Sequence, residues 1–288
     1  DALQLDGQLL AEGAAGASYE GGGSGGSLWL EVGTLTGGGV IRAAGGRSGT
    51  SGGGGGGGGR IAVYYAEASG FELSRVTAAG GAGYSGSSSY QGGAAGTVYL
   101  HDQTQAHTTL RIDNSGRNRD RTPYSPYALV AADALVMRNA NGTLHGQTPG
   151  QQLQLDASHV LFGEELTFTT VRVMNGAVLG HVTSSAQPEA PVTLKAGTVL
   201  VDADSRIDVS GRGLGPVGVG ERSGGSYGGQ GGGYSSNVAN APYGSVTAPV
   251  HVGTGGSGGA RGGGALRLIA DALQLDGQLL AEGAAGAS

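Results

Sequence analysis

The sequence predicts an all-β chain: a right-handed parallel β-helix (β-solenoid) of about eight three-strand coils per 270-residue repeat. Three observations carry that expectation. Residues 1–18 read DALQLDGQLLAEGAAGAS, and residues 271–288 read the same letters without a change, an offset of 270 residues. Short apolar runs with alternating residues recur between the two copies in groups of three. Long glycine blocks separate many of those groups.

The exact duplication divides the chain into residues 1–270, one tandem repeat, and residues 271–288, the start of the next identical repeat. A monomeric enzyme has no use for such an ending, whereas a fibre or stalk does.

Within the duplicated stretch, Leu266 and Leu268 alternate, then Leu273 and Leu275, then Leu279 and Ala281. Ala270-Asp271, Asp276-Gly277 and Glu282-Gly283 separate the runs. Period-two alternation over four or five residues, cut by Asp and Gly, reads as strand–turn–strand–turn–strand. Ala, Leu and Gln would also suit an amphipathic helix, but the interior Gly277 and the recurrence of the pattern favour strands.

The phrase recurs as LWLEV, TLT and VIRAAG, then as IAVYY, FELS and VTAAG. VYLHD with TTLRIDNS follows, then ALVAADALVMRNANGTL, then LQLDA, HVLFG and LTFTT. VRVMN with AVLGH and VTLKA, TVLVDAD and RIDVSG complete the series before residue 265. A unit of about 20 residues with three short strands suggests one coil stacked on the last. One coil cannot bury its inward row alone. Stacked coils align Leu on Leu and Val on Val and satisfy every backbone group from above and below. A sandwich or barrel of hairpins is disfavoured because Asp6-Gly7, Asn141-Gly142 and Asp276-Gly277 join segments too short for good hairpins.

Glycine accounts for 63 of 288 residues and is concentrated in blocks over 13–26, 45–59, 80–96 and 211–264, with eight in succession at 52–59. Each block follows the third strand of a unit, so all would leave the solenoid at one corner. Free linkers are one reading. The other is polyproline II-like strands packed side by side, whose close approach only Gly permits. Tethering to successive coils about 5 Å apart favours the ordered alternative.

Eight of the eleven tyrosines fall in loops: Tyr19, Tyr84, Tyr90, Tyr124, Tyr127, Tyr227, Tyr234 and Tyr243. Either they anchor each loop on its own coil or they contact neighbouring chains. Tyr84, Tyr90, Tyr227 and Tyr234 are the candidate assembly contacts.

Enzymatic chemistry finds little footing. The best acidic cluster is Asp202, Asp204 and Asp208, with Arg206 beside it. Paired carboxylates could serve glycosidic chemistry or calcium, but Asp at solenoid turns ordinarily bonds local backbone. His101, His107, His145, His159, His181 and His251 lack metal-ligand spacing. No catalytic residue, cofactor-binding residue or metal ligand is assigned, and no cofactor is expected, calcium being the alternative. Arg117, Arg119 and Arg121 read as a solvated loop, and Asn141-Gly142-Thr143 is a glycosylation sequon in a eukaryotic secretory context. A net charge of −6 and a single lysine, Lys195, leave no basic field for nucleic acid. The lack of cysteine excludes disulfides. No apolar stretch is long enough to span a membrane.

The succession GGGSGGSLWLEVGTLTGGGVIRAAGG, GGGGGGGGRIAVYY and GGAAGTVYL resembles the Gly-rich repeats of very large surface and extracellular proteins, mostly bacterial. That resemblance covers about the first hundred residues and the stretch from Ala265, and it implies export and a structural or adhesive role. Residues 114–187 depart from the glycine-block pattern and read as a specialised segment. The leading expectation is therefore a structural repeat of a long extracellular filament, stalk or matrix fibre, partnered by copies of itself in tandem and laterally. An adhesin binding cell-surface glycan through the Gly/Tyr loops is the alternative, and a β-helix polysaccharide-active enzyme the third reading.

Overall fold

The computed structural model describes residues 1–286 except 87–90, 118–121, 129, 147–150 and 187–191. In chain order the strands are β1 (Ala2–Gln4), β2 (Gln8–Leu10), β3 (Ser27–Thr36), β4 (Val40–Arg42), β5 (Arg60–Gly70), β6 (Val76–Thr77), β7 (Thr97–Asp102), β8 (His107–Asp113), β9 (Ser125–Ala128) and β10 (Ala134–Arg138). There follow β11 (Asn141–His145), β12 (Gln152–Asp156), β13 (His159–Phe162), β14 (Leu166–Met174), β15 (Val178–His181), β16 (Val192–Val201), β17 (Arg206–Asp208), β18 (Leu266–Leu275) and β19 (Gln278–Leu280). The chain is all-β, with one 3-10 turn at Leu73–Arg75 and no α-helix among the described residues.

The strands form a ten-stranded sheet ordered β1-β3-β5-β7-β8-β10-β12-β14-β16-β18, a six-stranded sheet ordered β19-β17-β15-β13-β11-β9, and a three-stranded sheet ordered β2-β4-β6. Neighbours are parallel throughout these sheets, except that β7 and β8 pair antiparallel.

Register puts like on like. Leu110, Leu135, Leu153, Val171, Val199 and Leu273 follow one another across the large sheet, and Ile112, Met137, Leu155, Val173, Val201 and Leu275 do the same two residues on. In the six-stranded sheet Val160, Leu179, Ile207 and Leu279 form a third row. Each residue in these rows before the last strand is essentially buried. Full burial of a Leu or Val side chain stabilises by roughly 1.5–3 kcal/mol, so the rows account for the parallel stacking.

Three sequence expectations are corrected. First, strands run on through expected turns: β3 and β16 each take in the first two apolar runs of a unit, β14 joins LTFTT to the VRVMN of the next unit, and β5 extends IAVYY to Gly70 and leaves FELS outside it. In β3, β5, β14 and β16 the core-facing residues step by two, then by three: Val32 to Leu35, Tyr65 to Ala68, Phe168 to Val171, Ala196 to Val199. Two successive non-core residues change the phase of the alternation within the strand. Small Gly33 and Gly197 sit at two of these phase changes, where an added Cβ would lie 2.9 Å from the Asp1 or Thr169 carbonyl oxygen of the neighbouring segment. Second, VYLHD and TTLRID form an antiparallel hairpin instead of a parallel step. Asp102 builds its turn, its Oδ1 accepting from Thr104 N (2.9 Å) and Gln105 N (3.0 Å). Third, residues 114–187 are no separate device: their described part contains β9 to β15, which continue the same sheets.

Antiparallel register also decides where the cores lie. Val98 faces the same side as Arg111, and Tyr99 the same side as Leu110. Val98 and Leu100 belong to the core of the first half, Leu110 and Ile112 to that of the second. The two cores therefore occupy opposite faces of the ten-stranded sheet and change over at the β7–β8 hairpin.

Candidate functional site

Three surfaces stand out: a glycine flank, two open strand edges, and the changeover between the cores. The flank is built from the blocks at 11–26 and 43–59 and from residues 78–86 and 91–96. Within each block two arms run antiparallel: Gly23 N donates to Ala14 O (2.9 Å) and Gly26 N to Ala11 O (2.7 Å), as Gly56 does to Gly46 (2.9 Å) and Gly59 to Ala43 (2.7 Å). Successive blocks are joined in parallel: Gly13 N to Ala44 O and Gly16 N to Arg47 O on one arm, Gly22 N to Gly54 O and Gly25 N to Gly57 O on the other. Diagonal bonds close the array, Gly46 N to Gly23 O and Gly81 N to Gly56 O. Bonded positions recur every third residue along each arm.

Side chains are excluded at the interior positions. A Cβ on Gly56 would lie 2.5 Å from the Gly23 carbonyl carbon and closer still to its oxygen. Gly45 and Gly93 would collide with Gly56 in the same way, while Gly57 has nothing within 4 Å. The block at 211–264 folds mainly on itself, through Gly213 N to Gly262 O, Leu214 N to Gly253 O and Gly253 N to Gly263 O.

At the open edges, the duplicated residues form the same pair of strands twice: β1 and β2 at one end, the last part of β18 and β19 at the other. The first copy is covered by β3 and β4, with Leu3 opposite Leu35 and Leu9 opposite Ile41. The second copy is covered from the other side by β16 and β17. Each is bare where its counterpart is covered. Leu273, Leu275 and Leu279 are 48%, 40% and 42% exposed, whereas Leu5, the counterpart of Leu275, is 8% exposed.

Polar side chains finish the flank at the changeover. Fully buried Asn114 accepts from Gly80 N at Oδ1 (2.8 Å) and donates from Nδ2 to Gly93 O (3.2 Å). Arg117 Nε donates to Gly80 O (2.5 Å), and the Tyr127 hydroxyl to Ala95 O (2.8 Å). Arg111 Nη2 caps Leu73 O (3.0 Å) and Val76 O on the first core's side. These groups occupy backbone donors and acceptors that another glycine block would otherwise take. Burial pushes the Tyr127 phenol up to about 12.

Beside the changeover, Trp29, Tyr64 and Tyr99 form an aromatic row on the outer face of the large sheet. Trp29 stacks on Tyr64 at 5.7 Å, and Tyr64 lies 5.9 Å from Tyr99. Together with Pro126, Tyr127 and Val130 they line a recess of about 600 Å³. The sequence reading missed this row. Its signal was one outward aromatic on each of three successive strands.

The tyrosines nominated from the sequence are dispersed. Tyr84 lies at the tip of a glycine block and donates its N–H to Gly53 O (3.1 Å). Tyr90 lies outside the described residues. Tyr227 is half-buried in its own block, 5.2 Å from Tyr243 and against Gly244. Tyr234 is 51% exposed, with the Arg222 guanidinium 5.1 Å over its ring. Tyr127, read as a loop residue, is buried in β9.

The acids near residue 205 are engaged with backbone. Asp202 Oδ2 accepts from Asn175 N (2.7 Å), and Asp208 accepts from Ser210 N (2.9 Å) and Arg206 Nε (3.0 Å). Burial opposes ionisation at both, and these bonds outweigh it, holding both below the usual carboxylate range. Asp6 and Asp133 make the equivalent bond to the neighbouring level of the stack, to Gly38 N (3.1 Å) and Thr108 N (2.7 Å). Among the described residues no three His, Asp or Glu side chains gather where they could hold a metal ion. His181 is fully buried: Nδ1 donates to Val182 O (2.6 Å), and Nε2 accepts from Ala265 N (3.2 Å) at the entry to β18. Burial lowers its pKa. No helix is long and apolar enough to cross a membrane among the described residues.

Compared with protein-family models, with curated proteins and with solved structures, the chain matches none.

Proposed function

We propose that this chain is a structural repeat of a long extracellular filament, stalk or matrix fibre: a right-handed parallel β-solenoid with polyproline II-like glycine strands along one flank. The observation that carries the reading is the double use of one eighteen-residue segment. It folds into the same strand pair at both ends, once covered from above and once from below. Superposing the two roles gives a segment covered on both sides and an array without an internal edge, which removes the hazard of exposed strands. The phase changes in the long strands support a coil turning around its core. The period of three in the flank's hydrogen bonds matches the three residues per turn of polyproline II. Catalysis has no part in this reading: of the nominated acids, Asp202 and Asp208 accept from backbone N–H groups of turns. The candidate tyrosines, Tyr234 foremost by exposure, would serve lateral contacts between filaments.

An adhesive role is favoured by one different observation, the Trp29–Tyr64–Tyr99 row beside its recess, since aromatic faces suit the apolar faces of sugar rings.

The test is small-angle scattering on chains carrying one, two and four copies of residues 1–270. Ten strands with equivalent ends make nine steps per repeat, about 43 Å at a strand spacing of ~4.8 Å; the eight coils expected from the sequence would give about 38 Å. A rod lengthening by about 43 Å per copy supports the filament. Flexibly linked globules, with no fixed increment, would refute it.

A further inference from the structure

Strand direction in the large sheet reverses once in each repeat, at β7–β8, and the core changes face at the same place. No such reversal falls at the repeat boundary, because the duplicated segment is parallel to both of its neighbours. From this, and resting on the tandem reading above, we infer that the folded unit of the array straddles the repeat boundary, and that successive units are turned by half a turn about the long axis.

The open edge of β18 and β19 is then an interaction surface whose partner is β3 and β4 of the following copy. The occupant and its register are fixed by the first copy of the segment. There Ala2, Leu3 and Gln4 pair with Thr34, Leu35 and Thr36. Carried back along β18, the same register sets Leu266 beside Leu28, Leu268 beside Leu30 and Ala270 beside Val32. All six turn toward their cores in this structure. The three-residue step agrees as well: Ala270 to Leu273 on β18 matches Val32 to Leu35 on β3, so no residue is out of phase. In the second sheet Leu279 comes to lie under Ile41, as Leu9 does here. The buried rows thereby run without a break from β8 of one copy to β7 of the next.

On the outer face the same register brings Arg267 beside Trp29. The Trp29 ring is 75% exposed and already stacked on Tyr64 along the row. A guanidinium over the open side of that ring extends the row by a cation–π contact.

The half turn follows from geometry. Rotation by 180° about the stacking direction reverses strand polarity and exchanges the two faces of a sheet, while leaving the hand of every crossover unchanged. The β7–β8 hairpin shows both changes together. One reversal per repeat is an odd number, so copies alternate, and the filament repeats only after two of them, about 86 Å. The glycine flanks project first to one side and then to the other. Asn114, Arg117 and Tyr127 end each flank where the alternation occurs, which explains why polar caps stand in mid-repeat and none is needed at the boundary.

A chain of several copies, each carrying Tyr19→Cys, tests this. Tyr19 is 76% exposed at the tip of a flank, and the chain has no cysteine of its own. Maleimide–gold particles are then imaged on single filaments. Labels alternating between the two sides, with neighbours on one side about 86 Å apart, are the expected result. Labels all on one side at about 43 Å would overturn the half turn while leaving the filament reading intact. Labels without a fixed spacing would refute both.

Discussion

Changing Gly56 to Ala adds a single methyl group at a crowded interior point of the glycine flank. The new Cβ would stand 2.5 Å from the Gly23 carbonyl carbon, against an ordinary contact of about 3.4 Å or more, so the arms must part by roughly 1 Å. Parting them strains two hydrogen bonds, Gly56 N to Gly46 O and Gly81 N to Gly56 O. Each bond contributes about 0.5–1.5 kcal/mol. Overpacking of this kind costs about 1–3 kcal/mol more. The expected loss is therefore about 2–6 kcal/mol, a large fraction of the 5–15 kcal/mol typical of a folded domain. Gly57→Ala is the control one residue away. Nothing lies within 4 Å of its Cβ, and its φ is outside the left-handed region. There the substitution only restricts the unfolded chain, stabilising by about 0.4–1 kcal/mol. Urea unfolding followed by circular dichroism measures both. Equal, small effects at the two positions would show that the flank is a loose linker and refute the packing argument.

Other changes test other parts. Asn114→Ala leaves the Gly80 N–H buried without its acceptor and should cost about 1–3 kcal/mol in the same assay. Ala157 is held at φ 47° in the turn between β12 and β13. Ala157→Gly should relieve the left-handed penalty and raise stability by about 1 kcal/mol, read as a higher urea midpoint. His181, buried and neutral, binds its proton less readily when folded than unfolded. Its contribution is therefore full above the unfolded value of about 6.5 and declines as pH falls below it. A parent chain that loses stability between pH 7 and pH 5 more steeply than His181→Gln is the expected result.

Much of this was legible in the sequence because stacking makes each unit repeat its neighbour's pattern. Leu273 and Leu275, Val199 and Val201, Val171 and Val173 announce inward rows by alternation alone, and the glycine blocks announce arms too close for side chains. The phase change was missed because two outward residues between apolar runs, Gly33-Thr34 or Gly197-Thr198, look like a turn, whereas here the strand runs on through them. The reversal at β7–β8 was missed because VYLHD and TTLRID alternate as a parallel strand would. The turn rests on the Asp102 side chain, folded back on Thr104 and Gln105, and on Ala106 at φ 49°, and many aspartates in this chain cap turns of the other kind. The nominated tyrosines were chosen by their glycine surroundings, which do not distinguish a ring lying on its own block, as Tyr227 does, from an outward ring such as Tyr234. The aromatic row went unread because Trp29, Tyr64 and Tyr99 are neighbours only across strands.

The central claim, that the bare edge of one copy is completed by the next, is tested most directly by the single tryptophan of each repeat. In a chain of two copies, Trp29→Phe is made in one copy at a time, leaving either the tryptophan at the free end or the one at the junction. Acrylamide quenching is then compared. A strand laid ~4.8 Å away covers one side of the indole, so the junction tryptophan should be quenched about twofold less than the end tryptophan. Equal quenching in the two proteins would mean that β18 of the preceding copy does not lie beside β3, and would contradict the account.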